Sequence, residues 1–196
     1  EMNYLSNMIM TRAAIKQKAN WTYDDFVFLP AELRCEIIEQ SLFMAPSPTP
    51  DHQNSSANLS FIIQSFIRKT KAGIVLLAPM DVILDKNNVV QPDLLFIANE
   101  NKGIIKNAIK GVPDCLIEII STGYVKYDRV KKYGLYEKFG VKEYWIVDPA
   151  NELVEIFNLE NNKYKLSSYA EVKGKVKSKI IKGLEVEVKK IFNKDY

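Results

Sequence analysis

The sequence predicts an α/β chain, a mixed β-sheet flanked by helices, and three observations carry that expectation. Residues 54–70 place Ala57, Phe61, Ile62, Phe66 and Ile67 at helical spacing. Short apolar runs, 92-PDLLFIA-98, 114-DCLIEIIS-121 and 142-KEYWIVD-148, read as strands. Between the last two, residues 125–139 carry Val125, Val130, Tyr133, Tyr136 and Phe139 as the apolar positions of an amphipathic helix. A helix, several strands, a helix and more strands describe a mixed domain around one sheet.

The remaining elements follow in order. Residues 1–20 have little periodicity and no long apolar segment, so they read as a partly flexible arm and not as a signal peptide. Residues 21–196 read as a single domain. Thr22 before Tyr23, Asp24 and Asp25 resembles a helix N-cap with an acidic first turn, and Pro30 stops that short helix. A second short helix or turn is expected at 31–34. The stretch 35-CEIIEQSLFMA-45 breaks at Glu39–Ser41, which fits two strands around a turn. The Pro-rich 46-PSPTPDHQ-53 is a loop leading into the long helix. The run 74-IVLLAPMDVIL-84 is strand-like with a break at Pro79, 85-DKNNVV-90 is a turn, and 99–113 is a polar loop or short helix. Strands are expected at 152–159, 163–172 and 184–188, with a short closing helix at 188–192.

Composition narrows the chemistry. The chain has 196 residues, 27 Lys plus Arg and 24 Asp plus Glu, a formal charge of 27 − 24 = +3. That length suits one domain. No apolar run approaches the roughly 18–20 residues that span a bilayer, so no membrane partner is expected. Two cysteines, Cys35 and Cys115, give neither a disulfide framework nor a zinc cluster; a reducing, cytoplasmic setting is the simpler reading. A single histidine, His52, excludes multi-histidine metal sites, so any metal must be held mostly by carboxylates, which favours hard ions such as Mg²⁺. The charge is also uneven. Residues 161–196 hold ten lysines against Glu171, Glu185, Glu187 and Asp195, a net of 10 − 4 = +6. These lysines could meet a polyanion, or could be the solvated, aggregation-resistant face of edge strands around 173-KGKVKSKIIKG-183.

Two acids interrupt apolar strands. Asp93 opens 93-DLLFI-97 and Glu118 sits inside 115-CLIEII-120. A carboxylate in a buried strand is costly unless paired, hydrogen-bonded or metal-bound. Such a pair could share a divalent ion, or each could lie at an exposed edge or beside a lysine. Asp128, Lys132 and Tyr136 recur at i, i+4 and i+8, which puts them on one helix face. Lys132 could point back at the carboxylates and steady developing negative charge, or could pair with Asp128 on the surface. Lys131 points about 100° away and is the weaker candidate.

Together these residues resemble the PD-(D/E)XK nuclease superfamily and, within it, the Uma-two-type restriction endonuclease family. The resemblance runs over about 21–192 through 21-WTYDDFVFLP-30, 36-EIIEQSLFMAPSPTPDHQ-53, 78-APMDVILD-85, 89-VVQPDLLFI-97, 111-GVPDCLIEIIS-121, 128-DRVKKYGLY-136 and 140-GVKEYWIVDP-149. It implies a restriction-endonuclease-like core and a Mg²⁺-dependent endonuclease, with Mn²⁺ able to substitute, acting on nucleic acid, DNA first, as a homodimer. It makes Asp93 and Glu118 metal ligands and the Ile119 backbone carbonyl a third. The superfamily lysine normally follows the glutamate by two residues; Ile120 stands there, and the resemblance shifts that role to Lys132. Glu36 matches an early family glutamate that touches the metal directly or through water. His52 and Gln53 match an "HQ" pair near the substrate, Tyr136 a tyrosine beyond the lysine, and Asp81 the aspartate of the 78-APMDV-82 strand, standing either behind the site or in a hairpin. His52 could equally cap the long helix beside Asp51. Gln40–Ser41 and Ser121–Thr122 depart from the family's Gly turn and its Ser-Pro, and neither removes a ligand. Two other functions stay open: a non-catalytic nucleic-acid-binding module, and a dimeric structural protein keeping the nuclease fold.

Overall fold

A computed structural model describes residues 18–30, 32–121, 123 and 126–194. Most of the expected N-terminal arm, the first residue of the turn expected at 31–34, Thr122 and Val125 lie outside the described residues.

The strands fall into two main sheets instead of one. The first has the order β2-β1-β5-β4-β7, with β1 at Cys35–Ile38, β2 at Ser41–Met44, β4 at Val82–Asp85, β5 at Asn88–Val90 and β7 at Ile109–Lys110. The second has the order β11-β10-β9-β8-β6-β3, with β3 at Gly73–Leu77, β6 at Leu94–Ala98, β8 at Cys115–Ile119, β9 at Glu143–Asp148, β10 at Leu153–Glu160 and β11 at Lys163–Glu171. The run 74–84 thus divides at Pro79 into strands of different sheets. The expected turn at 85–90 contains a strand, because Asn88–Val90 pairs with both β1 and β4. The lysine-rich 173–183 segment contributes β12, Lys175–Lys177, which pairs antiparallel with β13, Glu185–Glu187.

Four helices are described. Short α1, Tyr23–Phe26, starts where Asp25 accepts hydrogen bonds from the backbone N–H and the hydroxyl of Thr22, at 2.9 and 2.7 Å. The long α2, Pro50–Thr70, has Pro in its first turn, and the Thr49 hydroxyl accepts the His52 N–H at 3.2 Å. Its buried positions, His52, Ser55, Leu59, Ile63 and Ile67, recur every three or four residues and fix one face on the larger sheet. The amphipathic segment after β8 begins as a π-helix, Tyr127–Lys132, and continues as α3, Tyr133–Phe139, closed by Gly140 in the left-handed region. The wider π turn changes the phase of the expected stripe. Val130, expected as an apolar face position, is 58 % exposed, whereas Asp128 and Lys132 are buried. Helix α4, Val188–Phe192, packs beside α2.

The six-stranded sheet has apolar residues on both faces, which explains its nearly continuous hydrophobic runs. Leu94, Phe96, Cys115, Ile117, Trp145 and Val147 point toward α2 and α4. Leu95, Ile97, Leu116, Ile120, Tyr144 and Ile146 point toward α3 and the smaller sheet. Tyr144 and Trp145 are therefore core residues. Trp21 is also core, packed with Ile37, Ile83 and Val89. Seven of the ten C-terminal lysines, Lys163, Lys165, Lys175, Lys177, Lys179, Lys190 and Lys194, lie within ion-pair distance of carboxylates. That pairing favours the solvated-surface reading of the basic segment.

One buried carboxylate ties the C-terminal segment to the sheet. Glu143 is fully buried and accepts from Trp145 Nε1 at 2.8 Å, Ser178 Oγ at 2.6 Å, Asn158 Nδ2 at 3.0 Å and the Lys179 N–H at 2.7 Å. Glu143→Ala should strand these donors and cost about 3–5 kcal/mol in urea unfolding. A loss below about 1 kcal/mol would show that the segment is held by its apolar contacts instead.

Candidate active site

Strand periodicity assembles the site. On β6 and β8 alternate residues share a face, so Asp93 joins Leu95 and Ile97, and Glu118 joins Leu116 and Ile120. Leu94 stands opposite Ile117 in the antiparallel pair, which brings the preceding Asp93 beside Glu118. The Ile119 N–H donates to Asp93 Oδ2 at 2.7 Å and locks that approach.

The π-helix supplies the cation. Lys132 Nζ lies 2.9 Å from Glu118 Oε1, 3.0 Å from Glu36 Oε1 and 3.9 Å from Asp128 Oδ1, with its side chain almost wholly buried. Glu36 comes from β1 of the smaller sheet, so one ammonium joins both sheets and the helix. Tyr136, one turn on, donates to Glu118 Oε1 at 2.7 Å. Tyr127 donates to Glu36 Oε2 at 3.0 Å, and the Gln91 N–H donates to Glu36 Oε1 at 2.7 Å. His52 Nε2 lies 3.2 Å from Asp93 Oδ1, while its buried Nδ1 has no hydrogen-bond partner among the described residues. His52 therefore does two things: its backbone N–H is capped by Thr49 and its ring meets Asp93.

These groups line one cavity of about 70 Å³ with Arg34, Ile119 and Ser121 at its walls. Asp93, Glu118, Lys132, Glu36, His52 and Asp128 are all there. Tyr136 acts from behind through Glu118. Gln53 lies outside this cavity, in a neighbouring groove. Asp81 also stands behind, accepting from Gln91 Nε2 at 2.7 Å. Lys131 is exposed, with its ammonium 4.6 Å from the Phe43 ring centre. Three contributors had little signal in sequence: Tyr127 and Gln91, whose partner Glu36 is remote in the chain, and Arg34, an ordinary surface arginine by its neighbours.

Four carboxylates against the Lys132 ammonium and Arg34 leave the cavity lining predominantly acidic. Burial pushes the Glu118 carboxyl well up; Lys132 opposes this, and Asp128, Asp93 and Glu36 add to it. Burial also opposes the Lys132 charge, but Glu118, Glu36 and Asp128 outweigh it and hold the ammonium well above the ordinary lysine range. Burial raises Asp128 to about 6, against the pull of Lys132 and with the push of Glu36 and Asp93. Burial likewise raises Cys35 to about 11 and Cys115 well above its ordinary value, so neither is an activated thiol.

A hard divalent cation fits this donor set by charge and chemistry, since hydrated Mg²⁺ is commonly held by one or two carboxylates. Among the described residues no three His, Cys, Asp or Glu side chains converge closely enough to cage an ion. A cation held here would keep part of its water shell and would not sit in a closed structural site.

A family model described as "Putative restriction endonuclease", Uma2, matches residues 23–189. The chain belongs to the Uma2 family. A crystal structure described as a putative nuclease belonging to DUF820, from Anabaena variabilis ATCC 29413, is similar in fold, with TM-score 0.72 and 21 % identity over 87 % of this chain and 97 % of that one. No curated protein matches the chain. The expected restriction-endonuclease-like core is thus the observed architecture, and nuclease chemistry is what the family's description names. Among the described residues no helix is long and apolar enough to cross a membrane.

The raised Asp128 carboxyl gives a signed pH effect. A carboxyl that holds its proton more tightly when folded stabilises the fold below about pH 4, and that contribution is lost as pH rises through about 6. Asp128→Asn should therefore stabilise the metal-free protein at pH 7 by on the order of 1–3 kcal/mol and leave it nearly unchanged at pH 4. Thermal melts at the two pH values in EDTA read this directly. A variant less stable at pH 7 would mean that the contact to Lys132 outweighs the cost of burial.

Proposed function

We propose that this Uma2 protein is a metal-dependent endonuclease that hydrolyses phosphodiester bonds of nucleic acid, with DNA as the first substrate to test. One observation carries the reading. A buried lysine stands against Glu118 while Asp93 shares the same sheet face and the same cavity. Asp93 and Glu118 would hold Mg²⁺, or Mn²⁺ in its place, and the Ile119 carbonyl is the third ligand the family resemblance suggests. When bound, the ion would supply Lewis-acid polarisation of the phosphodiester and a more acidic water.

The chain's own residues supply the rest. The Ile119 N–H and the His52 ring hold Asp93 from two sides, leaving its carboxylate preorganised. Tyr136 and Lys132 both engage Glu118 Oε1, which fixes that carboxylate's orientation. Lys132 keeps its charge near the reacting phosphate, where a desolvated ammonium stabilises negative charge developing on oxygen. Glu36, held by Tyr127 and Gln91, keeps the Lys132 head in place. Acting as a homodimer, the protein would offer one cavity to each strand of a duplex; sedimentation equilibrium showing only monomer would remove that part.

One observation favours a second reading. Lys132 already neutralises part of the acidic cluster, as a non-catalytic nucleic-acid-binding module would need. Calorimetric titration with Mn²⁺ separates the two, because binding abolished by Asp93→Ala belongs to the nuclease and absent binding to the module.

Plasmid nicking in Mg²⁺ or Mn²⁺ tests the activity. Asp93→Asn should lower the rate by at least about a hundredfold with its melting curve retained, and Lys132→Met should lower it as much while also lowering the melting temperature, because it leaves buried carboxylates unpaired. Nicking that persists in the Asp93 variants would sink the assignment.

A further inference from the structure

The acidic cavity is too small for a nucleotide. Its volume of about 70 Å³ has room for an ion and a few waters, at roughly 10–15 Å³ each. Under the nuclease reading, only the scissile phosphate reaches in, and the neighbouring nucleotides must lie elsewhere.

A second cavity adjoins it. Arg34, His52 and Asp93 line both. The second, about 600 Å³, runs along the first half of α2 and reaches the segment between β3 and β4. That volume falls within the roughly 300–1,000 Å³ typical of ligand sites. Its chemistry is also different. Beyond the shared wall it is neutral, with Gln53, Ser56 and Ser60 offering amide and hydroxyl groups beside the apolar Leu77, Ala78 and Pro79. Among the described residues the only carboxylate on it is Asp93 at the junction, and Arg34, which lines the same junction, has no carboxylate within ion-pair distance. The backbone carbonyl of Arg34 accepts the Ala45 N–H at 2.9 Å, which anchors this residue at the base of the β1–β2 hairpin. A neutral polar channel beside an anionic cavity, with one unpaired guanidinium where they meet, suits a polyanionic strand whose phosphates avoid carboxylates except where an ion compensates them.

We propose that the groove along α2 is the subsite for the nucleotides adjoining the scissile phosphate on a single nucleic-acid strand, with Arg34 holding the neighbouring phosphate. This rests on the nuclease reading, and it assigns Gln53, Ser56 and Ser60 to the strand's sugar and base edges.

The test is fluorescence anisotropy of a labelled single-stranded DNA of about 12 nucleotides, titrated with the full chain in EDTA at about 50 mM salt. Arg34→Ala should weaken binding about tenfold and reduce the salt slope by about one. Ala57→Trp, on the exposed α2 face that lines the groove, should weaken binding severalfold without changing the slope. Lys177→Ala, on the basic C-terminal surface, should leave binding unchanged. Wild-type affinity in both groove variants overturns the proposal, as does a loss confined to Arg34→Ala or a wild-type chain that does not retain the oligomer. No cleavage enters this readout. A nuclease with normal Asp93-dependent nicking but unchanged anisotropy in both variants loses the groove alone, whereas nicking independent of Asp93 ends the nuclease reading whatever the anisotropy.

Discussion

The Lys132 ammonium is the contact on which the rest of the architecture converges. It lies 2.9 Å from Glu118 on the larger sheet and 3.0 Å from Glu36 on the smaller one, and it comes from the π-helix between β8 and α3. A buried charge is tolerated only with partners, and breaking such a set by removing one member leaves the others uncompensated. Here the imbalance runs the other way. Three acids, Glu118, Glu36 and Asp128, surround one base, and Asp93 stands beside them against His52, so carboxylates outnumber the cations of the cluster. The stability of the fold and the chemistry of the site therefore draw on the same residues.

The polar groups around this cluster work as supports. Tyr136 and Tyr127 each give a hydroxyl to a carboxylate, and Gln91 gives its backbone N–H to Glu36 while its side chain reaches Asp81. Tyr136 acts from behind the cavity, whereas Tyr127 and Gln91 hold Glu36 from its wall. The π-helix serves the same end. Its widened turn buries Asp128 and Lys132 together and leaves Val130 outside, an arrangement that would be costly in a helix whose only task was to cover the sheet.

Much of this was legible in the chain itself. Asp93 and Glu118 stood out because each interrupts an apolar strand, and the period of two puts them on one face once β6 and β8 are neighbours. Asp128, Lys132 and Tyr136 stood out by helical spacing. The long α2 was legible as a helix, but not its start or its buried face: it begins at Pro50, inside the stretch expected as a loop, and of Ala57, Phe61, Ile62, Phe66 and Ile67 only Ile67 is buried, with Ala57 and Phe61 exposed. What sequence did not carry was long-range. The separation of β3 from β4 into different sheets depends on pairing partners, not on the residues of 74–84. The strand at 88–90 is too short for a pattern. The π turn depends on a hydrogen-bond shift that leaves no periodic trace. Tyr127 and Arg34 acquire their roles only when β1 and its hairpin come to lie over the larger sheet.

The most direct measurement is a crystal soaked with Mn²⁺ and read by anomalous scattering. The account predicts a single peak between Asp93 and Glu118, beside the Lys132 ammonium. No peak there, or a peak that ignores Asp93, would contradict it.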